Sequence, residues 1–219
     1  MQSIEYKRLP KHIGIIPDGN RRWATHNNKD KHEGYQFGIN PGVALYEKCL
    51  GLGIQELTFY GFTQDNAKRP KVQTQAFQTA CVDAVMALTH KDANISVIGN
   101  THSKVFPDEL IDFANKRVPF GKGLMNINFL INYGWQWDLE YASSNKNEKH
   151  FYDKIASSDI SRMDLIIRWG GRRRLSGFLP VQSVYSDFYI VDELWPDYQD
   201  DHLYQALDWY QSQDVTLGG

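Results

Sequence analysis

Residues 162–177 read Arg-Met-Asp-Leu-Ile-Ile-Arg-Trp-Gly-Gly-Arg-Arg-Arg-Leu-Ser-Gly, the stretch that says most about the fold. The apolar run at 165–167 is typical of a buried strand, and it brings Arg168 to a Gly-Gly turn. Because side chains alternate along a strand, the four arginines 168, 172, 173 and 174 cannot all face one ligand. We predict that Arg168, Arg174 and Ser176 bind it together. Guanidinium groups and a hydroxyl on a glycine turn suit a phosphorylated ligand.

A second segment of this kind lies near the N-terminus, where His-Ile-Gly-Ile-Ile at 12–16 runs into Pro-Asp-Gly-Asn-Arg-Arg-Trp at 17–23. Asp18 is either a ligand of Mg²⁺, which takes one or two carboxylates together with phosphate oxygens, or the N-cap of the next helix. Arg21 and Arg22 add donors that a cap does not need, and the start of a helix favours an anion. The segment therefore favours a phosphate site with a divalent metal.

Three further polar features leave alternatives open. The stretch 62–70 is either a polar loop closed by proline or a set of groups that orient a ligand, with Arg69 on a phosphate. Arg172 and Arg173 face either solvent or a neighbouring subunit. Asp187 lies in an aromatic segment, where a carboxylate is unusual unless it is bound to metal or paired with one of the arginines.

Composition limits the classes of function. The chain has 219 residues, 42% hydrophobic and 23% charged, which is ordinary for one globular domain. Its net charge is −2, so the arginine clusters are local and nucleic-acid binding is not expected. The two cysteines and the lack of a signal peptide or a membrane-span pattern predict a cytoplasmic protein. Any membrane contact is expected to be peripheral, through a lipid-like substrate or product.

Short apolar runs alternate with amphipathic helical patterns along the whole chain. This alternation predicts one α/β domain over residues 1–219, with a central, mostly parallel sheet of six strands covered by helices on both faces. The predicted strands are 12–16, 56–62, 95–99, 125–131, 165–168 and 188–191. The predicted helices are 42–52, 73–89, 107–117 and 200–213.

Polar motifs follow four of the predicted strands. In parallel sheets ligands bind beyond the carboxyl ends of the strands, so we expect these motifs to converge on one edge. The remaining segments are a predicted loop at 141–149 and a predicted frayed end at 215–219. The four polar motifs are 18–20, 63–69, 132–138 and 168–176.

Together these segments resemble the cis-prenyltransferases, the undecaprenyl diphosphate synthase family, over nearly the whole chain. The first two are His-Ile-Gly-Ile-Ile-Pro-Asp-Gly-Asn-Arg-Arg-Trp-Ala at 12–24 and Leu-Thr-Phe-Tyr-Gly-Phe-Thr-Gln-Asp-Asn-Ala-Lys-Arg-Pro at 57–70. Ile-Asn-Tyr-Gly-Trp-Gln-Trp-Asp at 131–138 is similar to the third motif. The last two are the stretch 164–178 and Leu-Trp-Pro-Asp-Tyr at 194–198.

The resemblance implies a hydrophobic tunnel and a homodimer. It also implies a reaction in which Mg²⁺ assists ionisation of an allylic diphosphate, and the double bond of isopentenyl diphosphate then attacks the resulting cation. It implies that Asp18 organises Mg²⁺, that Asp187 replaces a metal-binding Glu and that Asn66 assists proton removal. The second diphosphate would be bound by Arg168, Arg174 and Ser176. The allylic diphosphate would be held by Asn20, Arg21, Arg22 and Arg69, within a substrate site that also includes Gly19, Trp23, Lys31 and Tyr35.

Several residues depart from the family pattern, and some of them fall on the diphosphate pockets. Condensation with isopentenyl diphosphate is therefore the leading prediction, and transfer to another acceptor, dimethylallyl diphosphate or an alcohol, is the alternative. A non-catalytic partner subunit ranks lower because such subunits typically lack the acid at Asp18, and a phosphatase or general phosphate-binding protein ranks last. The departures are Arg172 for Glu, Ala67 for Trp, Lys31 for Arg, Tyr35 for His and Trp135-Gln136 for Gly-Arg.

Overall fold

The computed structural model describes residues 6–144 and 150–214, and a sheet forms its centre. The strands are β1 (His12–Ile16), β2 (Glu56–Tyr60), β3 (Ala93–Ile98), β4 (Val118–Pro119), β5 (Met125–Leu130), β6 (Leu165–Arg168) and β7 (Asp187–Ile190). Their spatial order is β4-β3-β5-β2-β1-β6-β7, and every neighbouring pair is parallel except β3 and β4. The α-helices in these ranges are α1 (Asn20–His26), α2 (Ile39–Gly51), α3 (Lys71–Leu88), α4 (Trp135–Ser144) and α5 (Asp200–Gln211).

The prediction of a mostly parallel α/β sheet is confirmed, but the predicted number of six strands is wrong. The additional strand, β4, has two residues and pairs antiparallel with β3 at the edge of the sheet. Two residues are too few to show the alternation of apolar and polar side chains that marks a strand in a sequence. This strand forms because it pairs with β3.

Two other sequence predictions are corrected by the structure. The predicted helix 107–117 is reduced to a 3-10 helix at Asp108–Phe113, because Asn115 takes a left-handed conformation (φ 55°) and donates its N–H to the carbonyl of Val97. The predicted loop 141–149 begins as the last turn of α4, while 145–149 and the predicted frayed end 215–219 lie outside the described residues.

The two faces of the sheet are covered differently. Alternating side chains of β1, such as Ile13 and Ile15, join a core with residues of α2, α3 and α5. The opposite face carries Ile166 and is covered by Phe178 and Leu179, from an irregular segment, together with part of α4. Helices therefore cover one face, and the predicted helical cover of the second face is largely replaced by irregular backbone.

Within residues 6–144 and 150–214, no helix has the length and apolar character needed to cross a bilayer.

Candidate active site

A cavity of about 600 Å³ opens at the carboxyl ends of β1, β2 and β6. The parallel arrangement places the ends of these strands at one edge, so three of the four polar motifs meet there. The fourth motif, 132–138, does not line the cavity. The predicted site residues that do line it are Asp18, Gly19, Asn20, Arg21, Arg22, Lys31, Tyr35, Asn66, Arg69, Arg168, Arg174 and Ser176.

Asp18 holds the central position, between two arginines. The register of β1 and β6 sets Ile16 beside Arg168, and Arg168 Nη2 donates to Asp18 Oδ2 at 2.8 Å. Arg22 Nη2 lies 3.5 Å from Asp18 Oδ1. The following Gly19 has φ 119°, a conformation that L side chains rarely adopt, and this turn starts α1. Asp18 makes no side-chain cap of that helix, so the N-cap alternative is excluded.

Arg168 acts within the protein more than toward the open cavity. Its side chain is 4% exposed, and Nη1 donates to Ser176 Oγ at 3.1 Å and to the carbonyl of Arg174. Arg22 Nη1 donates to the carbonyl of Gly170 at 2.9 Å, and a Cβ at Gly170 would lie 2.4 Å from Arg22 Nη2. Arg168 thus orients Asp18 and the turn that carries Arg174 and Ser176.

Arg69 is a half-buried cation with no carboxylate within 4.0 Å among the described residues. Burial lowers the pKa of Arg69 below its ordinary value, and the nearby Arg21 lowers it further. Its Nη1 donates to Tyr35 Oη at 3.1 Å. Because a desolvated cation without a counter-ion favours an anionic ligand, Arg69 fits the predicted phosphate role better than the plain-loop alternative.

The charge of the cavity is strongly one-sided. Two carboxylates line it in the described part of the chain, Asp18 and Asp65, although the whole chain has a net charge of −2. Asp65 is paired with Lys68 at 2.6 Å in a solvent-exposed position, which leaves Asp18 as the inward carboxylate. The cationic side chains that line it number seven among the described residues: Arg21, Arg22, Lys31, Arg69, Arg168, Arg172 and Arg174.

Asn66 lines the cavity, but its side chain also has a structural role. Its Oδ1 accepts from the N–H of Thr63 at 3.1 Å, and Thr63 Oγ1 accepts from the N–H of Asn66 at 3.2 Å. This reciprocal cap begins the 3-10 helix Gln64–Lys68, and it leaves the Asn66 amide nitrogen to donate to a ligand.

Asp187 does not line the cavity, contrary to the prediction that it binds metal there. It begins β7 beside Leu165, at the amino end of β6, whereas Asp18 lies beyond the carboxyl end of β1. Its Oδ2 lies 3.8 Å from Nη2 of Arg8, which lies outside the arginine-rich stretch 168–174. Asp18 and Asp187 therefore do not form one metal site within this chain.

Two other expectations are also corrected. Trp23 faces away from the cavity: its Nε1 donates to Asp197 Oδ1 at 2.7 Å, and its ring packs on Phe37. Asp138 is buried and accepts from Tyr133 Oη at 2.8 Å and from Ser157 Oγ at 2.6 Å, so the motif 132–138 anchors α4 instead of contacting a ligand.

A smaller, apolar cavity of about 80 Å³ adjoins the first one, between α2, α3 and the sheet. It occupies the place of the predicted hydrophobic tunnel. The residues of α3 that line this cavity were not predicted from the sequence. Their spacing is nevertheless a recognisable signal, because positions 77, 80, 81, 84 and 88 lie on one helix face.

The donors present fit a magnesium ion. Within residues 6–144 and 150–214, no group of three or more His, Cys, Asp or Glu side chains forms a metal cage. Mg²⁺ does not need one, because it is commonly bound through one or two carboxylates plus substrate phosphates. Asp18 is such a carboxylate, and the cavity around it is rich in arginine.

Comparison with known proteins agrees with this geometry. The family profile described as "Putative undecaprenyl diphosphate synthase" matches residues 16–218. The chain belongs to the cis-prenyltransferase family. This makes it a prenyltransferase by family, in agreement with the resemblance described above.

Individual members of the cis-prenyltransferase family align over nearly the full length. An isoprenyl transferase of Leptospira interrogans is 31% identical, covering 96% of this chain and 95% of the relative. A ditrans,polycis-undecaprenyl-diphosphate synthase, farnesyl-diphosphate specific, of Vibrio parahaemolyticus is 29% identical, covering 96% and 91%. The crystal structure of lavandulyl diphosphate synthase from Lavandula x intermedia, in complex with dimethylallyl diphosphate, superposes with a TM-score of 0.83 at 25% identity, covering 96% and 98%.

Proposed function

We propose that this chain is a Mg²⁺-dependent prenyltransferase that ionises an allylic diphosphate and joins the prenyl group to isopentenyl diphosphate. The observation that carries the proposal is the charge of the cavity, which in the described part of the chain is lined by seven cationic side chains and one inward carboxylate. Two bound diphosphates would balance this excess of positive charge. The Vibrio relative is by name a farnesyl-diphosphate-specific synthase, which supports the same class of substrate.

The two diphosphates would bind to different parts of the cavity. Arg21, Arg22 and Arg69 would hold the allylic diphosphate with Asn20, on the side formed by the motifs after β1 and β2. Arg174 and Ser176 would hold the second diphosphate, with Arg168 positioning their turn.

In the proposed reaction, the C1–O bond of the allylic diphosphate breaks and the double bond of isopentenyl diphosphate attacks C1. A proton then leaves C2 of the isopentenyl group. Arginine donors stabilise the charge on the departing diphosphate, which takes the proton, and Asn66 assists the removal of that proton. When bound, Mg²⁺ would be held by Asp18 with diphosphate oxygens and would add positive charge beside the leaving group.

The test is turnover of the purified chain with Mg²⁺, allylic diphosphates and isopentenyl diphosphate, with products identified by mass. We expect Asp18→Asn to lower kcat about 100- to 1,000-fold, the range for removal of one electrostatic catalytic group. Asp65→Asn is the matched control, because Asp65 lines the same cavity but pairs with Lys68 in solvent, and we expect it to change kcat less than threefold. Equal effects of the two variants would contradict the role of Asp18.

A second candidate function is transfer to dimethylallyl diphosphate or an alcohol instead of isopentenyl diphosphate. Two observations favour it: Arg172, an added cation, lines the cavity, and a structurally similar protein is a lavandulyl diphosphate synthase bound to dimethylallyl diphosphate. Asp18-dependent prenyl products formed without isopentenyl diphosphate would establish this function. If the chain is active only after it is mixed with a homologue, it is a partner subunit of a heteromeric enzyme. If it releases diphosphate without forming a carbon–carbon or carbon–oxygen bond, it is a phosphatase.

We also propose that the chain acts as a homodimer in the cytoplasm. Trp135 and Tyr141 of α4 and the adjacent Phe151 and Tyr152 are 42–56% exposed, which is unusual for large apolar side chains on one side of a molecule. Sedimentation velocity and cell fractionation would test the dimer and the location.

A further inference from the structure

The turn that carries Arg174 and Ser176 has a backbone conformation that needs support from its surroundings. Ser176 has φ 54°, a left-handed conformation that is uncommon for a residue with a side chain. Such a conformation costs free energy and persists only where neighbouring groups hold it. The position of Ser176 in the lining of the polar cavity therefore depends on the groups that contact this turn.

Two side chains hold the turn by hydrogen bonds in the described part of the chain. Arg168 Nη1 donates to Ser176 Oγ at 3.1 Å and to the carbonyl of Arg174. Tyr60, the last residue of β2, donates its hydroxyl to the carbonyl of Ser176 at 2.8 Å. Because β1 lies between β2 and β6, Tyr60 reaches over β1 and links the carboxyl end of β2 to the turn that follows β6.

The Tyr60 side chain is itself fixed in place. It is 9% exposed, lines the polar cavity and packs on the ring of Phe178, with centroids 5.0 Å apart. Phe178 is fully buried and follows the turn closely in the chain, so the ring contact and the hydrogen bond act on the same short segment. Burial raises the pKa of Tyr60 well above its ordinary value, which keeps the hydroxyl protonated and able to donate.

We infer that Tyr60 is a positioning residue for the second diphosphate: its hydroxyl holds the turn in the conformation in which Ser176 and Arg174 bind that group. This inference rests on the second diphosphate site proposed above. Tyr60 was not among the predicted site residues, because in the sequence it belongs to the apolar run of β2. Its partner lies 116 positions away, and no local pattern indicates that contact.

The test is Tyr60→Phe, which removes the hydroxyl and keeps the ring. Titration calorimetry measures binding of isopentenyl diphosphate and of inorganic pyrophosphate, in the presence of Mg²⁺ and an excess of unreactive geranyl thiolodiphosphate to fill the allylic site. Steady-state kinetics measure kcat and KM for each substrate. We expect the two Kd values and KM for isopentenyl diphosphate to rise about tenfold, roughly the effect of one hydrogen bond, and KM for the allylic diphosphate to change less than about twofold.

Tyr198→Phe is the matched control. The Tyr198 hydroxyl also donates one partly buried hydrogen bond, to Asp200 Oδ1 at 3.2 Å, but Tyr198 lines neither cavity. Each variant should lower the free energy of unfolding in urea by a similar amount. Only Tyr60→Phe should change the ratio of the two KM values, because a loss of stability alone affects both substrates equally.

The outcomes separate this inference from the proposed function. If folded Tyr60→Phe binds isopentenyl diphosphate and pyrophosphate as the wild type does, the positioning role is wrong. If no prenyl product forms but Tyr60→Phe weakens pyrophosphate binding as expected, the proposed function fails and the positioning role stands. If product forms and the two KM values rise together or stay the same, the function stands and the positioning role fails. A wild type that does not bind pyrophosphate would overturn both.

Discussion

At the scale of single residues, Asp18 lies between two arginines at the centre of the cavity. Asp18 is paired with Arg168 at 2.8 Å and lies 3.5 Å from Arg22. The Asp18 side chain is 34% exposed, but Arg168 is only 4% exposed, so loss of the Asp18 carboxylate would leave a buried cation without its partner. The pair therefore contributes to folding and at the same time fixes the orientation of the Asp18 carboxylate.

Arg172 provides a residue-scale prediction about diphosphate binding. Its charged side chain lines the cavity, whereas the adjacent Arg173 is exposed outside it. We expect Arg172→Glu to raise KM for one of the two diphosphates roughly tenfold at low ionic strength, through loss of a cation and gain of an anion near the ligand. Because salt screens an exposed charge, the effect should shrink as ionic strength rises.

Arg173→Glu is the matched control, with the same change of charge one residue away. Steady-state kinetics of both variants at low and high salt separate a local contact from a general change in surface charge. Similar effects of the two substitutions would mean that Arg172 does not contact a diphosphate.

At the scale of elements, the turns that follow the parallel strands position the site. The Gly19 turn starts α1 after β1, and the Gly170 turn follows β6 where Arg22 approaches the backbone. After β2, the 3-10 helix Gln64–Lys68 carries Asn66 into the cavity and ends at Arg69. The 3-10 helix is held by its own cap. The Gly170 turn is instead held by distant groups, because the N–H groups of Gly170 and Gly171 donate to the carbonyls of Glu193 and Val191.

The cap of the Gln64–Lys68 helix can be tested by removing one hydroxyl. Thr63→Ala loses the bond that Thr63 Oγ1 accepts from the N–H of Asn66, and we expect it to lower the free energy of unfolding by about 1 kcal/mol. Turnover should also fall several-fold because Asn66 and Arg69 lose their fixed positions. Thr63→Ser retains the hydroxyl and should behave as the wild type in urea unfolding and in kinetics; a loss of the same size in both variants would show that the methyl group matters instead.

At the scale of the whole molecule, charged side chains lie at the carboxyl ends of the strands. A network of buried, hydrogen-bonded polar side chains lies toward the amino ends. His12 is 1% exposed, and its Nε2 and Nδ1 lie 2.8 Å from Thr58 Oγ1 and 3.0 Å from the carbonyl of Ser161. Burial lowers the pKa of His12, and the nearby carboxylates of Glu56 and Asp164 oppose that shift without overcoming it.

This network predicts a loss of stability in mild acid. The pKa of His12 is about 6.5 when the chain is unfolded and lower when it is folded, so the unfolded chain binds more protons between these two values. The free energy of unfolding should therefore fall as pH drops below about 6.5, by at most about 1.4 kcal/mol per pH unit from this residue. Urea unfolding between pH 7 and 5 measures it, and His12→Gln should show a smaller slope; equal slopes would assign the pH dependence to other groups.

Much of the fold could be predicted because strand and helix periods are local. The apolar runs of β1, β2, β3, β5 and β6 and the helical patterns of α2, α3 and α5 were all recognisable. Prediction failed where tertiary contacts decide the local structure. Examples are the two-residue β4, the shortened helix Asp108–Phe113, and α4, whose Asp138 is held by Tyr133 and Ser157.

By itself, the sequence determined the family, the α/β class and the types of residue around the cavity, because motifs and hydrophobic periods are properties of short stretches of chain. Only the tertiary structure decided which of these residues meet. Strand register brings Arg168 to Asp18 and leaves Asp187 at the amino end of β7. Packing of α3 against the segment at Tyr35 stacks the rings of Tyr35 and Phe77 beside Phe62. Such contacts join residues tens to more than a hundred positions apart, and their distances follow from register and packing, which no local pattern encodes.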